Sequence, residues 1–141
     1  MKRRTFIILL VLVAALVGGG VGWYQYDRPT EKASEKAEVA SVTADELLQA
    51  FIADETAATT KFVGTTEQAI RVSGTIRSLD HLDGGLINVV LRTEDEMASV
   101  ICEFAETDVP KAWKAGDRVV LKGICTGYLM DVVLNRCNAV E

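Results

Sequence analysis

The sequence predicts a mainly β domain: five short strands closing a small barrel, one α-helix leading into it, and an N-terminal transmembrane helix joined by a linker. Three observations predict it. An unbroken apolar run follows a basic start, a capping box opens a helical apolar pattern at residue 44, and from residue 70 the pattern changes to strict alternation.

Lys2, Arg3 and Arg4 precede the run from Thr5 to Gly22, in which every residue after Thr5 is apolar or glycine. Its 18 residues span roughly 27 Å as helix, close to the hydrocarbon thickness of a bilayer. Trp23, Tyr24 and Tyr26 follow where amphipathic rings favour the headgroup layer. A cleaved secretory signal has the same beginning, but no small-x-small motif ends this run, so residues 1–26 are expected to stay as a signal anchor. The basic start keeps the N-terminus in the cytoplasm and sends the rest outside. Residues 27–41, "DRPTEKASEKAEVAS", mix charge, alanine and serine without an apolar face and are expected to form a flexible linker.

The domain is expected over 42–141. Thr43 and Glu46 make a capping box, with Val42 placed to staple onto Leu47, so a helix should begin at Ala44. Leu47, Leu48, Phe51 and Ile52 share its apolar face. "AIRVSGTIRS" then alternates Ile70, Val72, Gly74 and Ile76 with Arg71, Ser73, Thr75 and Arg77, as a strand with one buried face does. "LDHLDGG" is turn chemistry; "LINVVLRT" and "ASVICEF" resume alternation; "DVPKAWKAGD" suits one or two helical turns ending at Gly116; strands over 117–125 and 131–139 follow. Closure into a barrel is favoured because a flat sheet would leave its edges exposed.

"ADELLQAFIADETAATTKFVG", "GTIRSLD", "VICEF" and "GDRVVLKGICTGYLMDVVLNRC" resemble the bacterial family of OB-fold domains named for their likeness to the tRNA anticodon-binding domain, the tRNA_anti-like family. The resemblance covers about Val42 to Glu141. It implies a five-stranded OB-fold barrel preceded by a helix, carried by a membrane-anchored or lipidated protein of the bacterial cell envelope. This chain has no lipid-acceptor cysteine near its start, so anchoring falls to the apolar segment, with the domain on the periplasmic or extracellular side.

Charge tests a nucleic-acid role. Between Val42 and Glu141 sixteen Asp and Glu face nine Lys and Arg, a net charge of −7, whereas phosphate-binding surfaces carry a basic stripe. Arg71, Arg77 and Arg92 could form a local patch, but the neighbouring outward positions, Ser73, Thr75, Asn88 and Val90, offer no aromatic ring for base stacking. Catalysis has less support. His81 is the single histidine and sits in a turn between Asp80 and Asp83, with no nucleophile motif to serve. Glu94, Asp95 and Glu96 lack the ligand spacing of a calcium loop.

Cys102, Cys125 and Cys137 remain. Zinc would need all three with His81, without the paired short spacings of zinc sites, and a redox pair would need a Cys-x-x-Cys. In an oxidising envelope a disulfide is expected, Cys125 with Cys137 or, because strands three and five adjoin in an OB barrel, Cys102 with Cys137. Asp131 reads as a turn-closing carboxylate accepting backbone N–H bonds. Tyr128 and Leu129, at the last turn, are candidates for partner contact. The expected function is therefore a membrane-tethered, non-catalytic binding module with a monomeric soluble domain, needing no cofactor or metal. Its ligand would be an envelope protein, a glycan or a small molecule; nucleic acid is the alternative.

Overall fold

The computed structural model describes residues 2–26, 33 and 36–140, in two units, Met1–Thr30 and Glu31–Glu141. In the first, Lys2–Tyr26 forms helix α1. Its large apolar side chains from Ile7 to Val17 are exposed. Among the described residues no helix is long and apolar enough to cross a membrane. The described side chains of α1 end at Gly19, short of the roughly 20 apolar residues of a full span. The side chains of Trp23, Tyr24 and Tyr26 lie outside the described set.

Much of the expected linker, residues 27–32 and 34–35, also lies outside the described residues, but the rest corrects that expectation. Ala33 is fully buried against Ala69 and Ile124. Lys122 donates from Nζ to the Lys36 carbonyl (2.8 Å), and Lys36 pairs with Glu67 at 3.8 Å. Glu38–Thr43 is strand β1, with Ala40 and Val42 turned toward the core. The charged composition of the segment conceals this short alternation.

The capping box forms as its sequence requires. Glu46 N–H donates to Thr43 Oγ1 at 3.1 Å, Thr43 N–H donates to Glu46 Oε2 at 2.8 Å, and helix α2 runs Ala44–Ala53. Leu47, Leu48 and Phe51 are buried, while Ile52, at the edge of the stripe, stays 49% exposed. Asp54 then accepts the Ala57 N–H (3.0 Å) and caps a second short helix, α3 (Glu55–Ala58), which continues as a π turn over Thr59–Val63. This turn delivers Phe62 to Phe51, ring centroids 6.0 Å apart.

The strands are β2 (Ala69–Leu82), β3 (Leu86–Leu91), β4 (Val100–Ala105), β5 (Arg118–Leu129) and β6 (Asp131–Ala139). They pair in the order β2-β3-β4-β6-β5, and β2 pairs again with β5, closing a five-stranded mixed barrel of OB type. Only the long β2 makes closure possible: its first half, Ala69–Thr75, pairs with β5, and the remainder, from Ile76, pairs with β3. A register break between Ile76 and Ser78 marks the corner. β1 lies parallel to the first half of β2, along the edge that β3 takes over further on.

Two expectations change in the second half. Residues 110–116 form turns, with helical geometry limited to a 3-10 turn at Glu106–Asp108, because Pro110 and Gly116 (φ 93°) leave too few residues between them. Trp113 nevertheless closes the core there, edge-on to Phe104 at 5.7 Å. β5 also runs four residues past Cys125, to a turn whose tip is Met130 alone, at φ 71°. Ile70, Val72, Val89, Leu91, Phe104, Leu121 and Leu134 fill the barrel together with the apolar face of α2.

Candidate ligand-binding surface

The three arginines expected to share a patch have separate fates. Arg71 pairs with Glu38 of β1, Nη2 to Oε2 at 3.0 Å. Arg77, in the bulge of β2, donates from Nη1 to Ser99 Oγ at 2.9 Å. Arg92 is different. It follows β3, and its backbone N–H donates to the Thr75 carbonyl at 2.8 Å. On the other side of β2, Thr75 pairs with Arg118, the first residue of β5. Cross-strand neighbours in one row point to one face, so Arg92, Thr75 and Arg118 stand side by side. Arg118 was not singled out in the sequence, where it reads only as a polar residue opening a strand.

This row borders a cavity of about 300 Å3 at the seam where the ends of β1 and β3 meet along the same edge of β2. Thr43, Ser73 and Thr75 contribute hydroxyls; Asp45 and Glu94 contribute carboxylates. The seam is tied across by the Glu94 N–H, which donates to Asp45 Oδ1 at 2.6 Å. Gly74 lets the chains approach, since a Cβ there would lie 3.2 Å from Ala44 Cβ.

At the β5–β6 turn the structure separates the two expected contact residues. Tyr128 stacks on Phe51 with centroids 5.8 Å apart and belongs to the packing of α2, whereas Leu129 is 89% exposed beside Met130. Asp131 accepts a backbone N–H as expected, but from Ser99, 32 residues away, at 2.7 Å. Ser99 in turn accepts from Val132 N–H through its carbonyl (3.0 Å), so the β3–β4 loop is clamped to the start of β6.

No disulfide joins the cysteines: Cys102, Cys125 and Cys137 are free and buried. Cys125 pairs with Leu134, not Cys137: the tight turn at Met130 already sets Cys125 opposite the middle of β6, the bulge at Thr126 moves it one residue nearer the turn, and the second bulge, at Arg136, lies beyond this pair. Arg136, at φ 50°, is the bulge that turns Cys137 back into the barrel. There the Cys137 thiol lies beside that of Cys102. Burial pushes the Cys125 thiol up to about 11, more than the Gly127 backbone can offset, and burial followed by the Cys102 contact pushes Cys137 well above the usual range. Such thiols are poor nucleophiles at neutral pH.

These shifts give the domain an alkaline limit. A thiol that holds its proton longer when folded supports stability fully below the unfolded pKa, near 9, and loses that support as pH rises toward about 11. Cys125 alone should account for about 2–3 kcal/mol over that window. Denaturant unfolding at pH 7.5, 9 and 11 should show the decline, and Cys125→Ala should remove that share of it. An unchanged slope in the variant would mean that the thiol is hydrated.

His81 is not in the turn, which spans residues 83–85, but near the end of β2 opposite Ile87, because the alternation of β2 runs on through it; it is exposed, with Nδ1 4.0 Å from Glu106 Oε1. Among the described residues no three His, Cys, Asp or Glu side chains converge as metal ligands.

The family model described as tRNA_anti-like matches residues 1–139. Among solved structures the domain is similar to a lipoprotein of Klebsiella pneumoniae subsp. pneumoniae MGH 78578, provisionally described as nucleic acid-binding. The two share 17% identity at a TM-score of 0.55, over 71% of this chain and 91% of that one. A crystal structure of yeast Stn1 and Ten1 is similar at 16% identity and a TM-score of 0.46, over 80% and 68% of the two chains. At such identity the first likeness is one of fold. No curated protein matches the chain.

Proposed function

The chain belongs to the tRNA_anti-like family of OB-fold domains, and from that membership we propose that it is a binding module of the bacterial envelope that acts by holding a ligand and catalyses no reaction. The observation that carries this reading is the filled barrel. With Phe104, Leu121 and Leu134 fully buried in its interior, a ligand can be held only on the outer surface, where OB domains commonly bind extended polymers.

Nucleic acid is the ligand class with outside support, from the description of the Klebsiella protein. A protein or glycan ligand rests on the envelope setting alone. Against nucleic acid stand the net charge of −7 over 42–141 and the engagement of Arg71 and Arg77 in internal contacts. Arg92 and Arg118 are the side chains best placed for phosphate. A single strand neutralised by those two should therefore show a shallow salt slope, about −1.4 in log K against log salt. Fluorescence titration of the full-length protein in nonionic detergent with a single-stranded oligonucleotide, at low and moderate salt, tests this. A slope near that value that flattens in Arg92→Ala supports nucleic acid; no saturation even at low salt removes it and leaves the envelope ligands.

We infer the anchoring from α1. Lys2, Arg3 and Arg4 precede it, and its large apolar side chains from Ile7 to Val17 are exposed, a surface that lipid covers and water does not favour. The full-length protein is expected to stay with membranes through an alkaline carbonate wash, and a chain beginning at Glu31 to be soluble. Native protein recovered from the periplasm without its first residues would instead identify a cleaved signal.

A further inference from the structure

The seam cavity holds four charges that do not neutralise one another. Arg92 and Arg118 flank Thr75 on one side, yet neither guanidinium has an ion-pair or hydrogen-bond partner among the described residues, although Asp45 and Glu94 line the same cavity. Asp45 is held instead by the Glu94 N–H, at 2.6 Å. Arginine and carboxylate side chains free to meet normally do so bidentately. Here strand register fixes the arginines two strand spacings apart, roughly 10 Å between backbones, with a hydroxyl between them, while the acids sit on the β1–α2 junction and the loop after β3.

We propose that this cavity binds a small zwitterion, with its oxyanion between Arg92 and Arg118 beside the Thr75 hydroxyl and its ammonium group toward Asp45 and Glu94. The inference rests on the binding-module reading and names a ligand class for it. A bare anion would meet two carboxylates with no counter-charge, and a polyanion would meet them along its length. A molecule carrying both charges satisfies both ends, and about 300 Å3 suits a ligand of amino-acid or headgroup size. The oxyanion could be a phosphodiester, as on a lipid headgroup, or a carboxylate, as on a short peptide; the chemistry is shared.

Isothermal titration of the full-length protein in nonionic detergent separates these cases. The probes are glycerophosphoethanolamine and alanyl-alanine as zwitterions, glycerol phosphate as the anion alone and ethanolamine as the cation alone. At least one zwitterion should bind about tenfold more tightly than either single charge, and whichever binds better identifies the oxyanion. Arg92→Ala and Arg118→Ala should each weaken it about tenfold, the loss of one charge-assisted contact. Asp45→Asn with Glu94→Gln keeps an acceptor for the Glu94 N–H and should abolish the preference over glycerol phosphate. Equal binding of glycerol phosphate would overturn the proposal in favour of a simple anion site, leaving the binding reading intact. Indifference to all the variants, or no heat with any probe, would overturn it as well. The binding reading itself fails only if oligonucleotide titration and capture from solubilised envelope membranes also return nothing.

Discussion

Phe51→Ala is expected to lower the stability of the domain by about 3–5 kcal/mol, the range for deleting a buried aromatic ring. Phe51 is 1% exposed and is the ring on which separate pieces of chain meet, Phe62 at 6.0 Å from the π turn and Tyr128 at 5.8 Å from β5. Removing it leaves a cavity between α2 and the open end of the barrel that neither neighbour can fill without leaving its own element. Denaturant unfolding checks the magnitude. Phe51→Leu should recover part of the loss, because volume matters more than the ring itself. A cost below about 1 kcal/mol would mean that α2 is not integral to the core.

Gly123→Ala should be nearly as damaging, at about 3 kcal/mol, the upper end of the range for overpacking. This glycine is required by space and not by backbone angle. A Cβ there would lie 2.5 Å from Cys137 Sγ and 3.0 Å from Leu134 Cδ2, closer than packed side chains come. Both neighbours are buried, and β6 cannot back away while Leu121–Ala139 and Cys125–Leu134 remain paired on either side. Cys137→Ala in the same chain should restore most of the stability, since the sulfur is the nearest obstacle. A double-mutant cycle measures that coupling directly. Additive effects would place Cys137 elsewhere and undo the register drawn here around Arg136.

The same pair of strands marks the limit of what the sequence discloses. Alternation through Ile70, Val72 and Ile76 is local information, as is the Thr43–Glu46 capping box, and the structure contains both where expected. Bulges are not local in that sense. Nothing in "GICTGYLMDVVLNRC" says that Thr126 and Arg136 drop out of register, because barrel closure decides where a strand leaves a residue unpaired; the Cys125–Cys137 pairing fails sooner, at the tight turn, and adjacency of the two strands alone does not reveal it. β1 was hidden for another reason: its alternating residues sit at the end of a stretch whose average character is that of a solvated tether. Arg92 and Arg118 lie 26 positions apart and become neighbours only because β2 pairs on both sides of Thr75.

For a chain held by its N-terminus, as proposed above, the place of β1 has a mechanical meaning. Tension from that end would meet a strand laid alongside β2 from Glu38 to Thr43 before it reached α2. Lys36–Glu67 and Glu38–Arg71 fasten that entry point, and β2 passes the load on to β3 and β5, the strands it pairs with in the barrel. A leading helix attached directly to the tether would yield a turn at a time from its frayed end. Here the helix sits behind a stitched strand and a closed capping box, so α2 and the seam beside it would be sheltered from strain that such an attachment imposed.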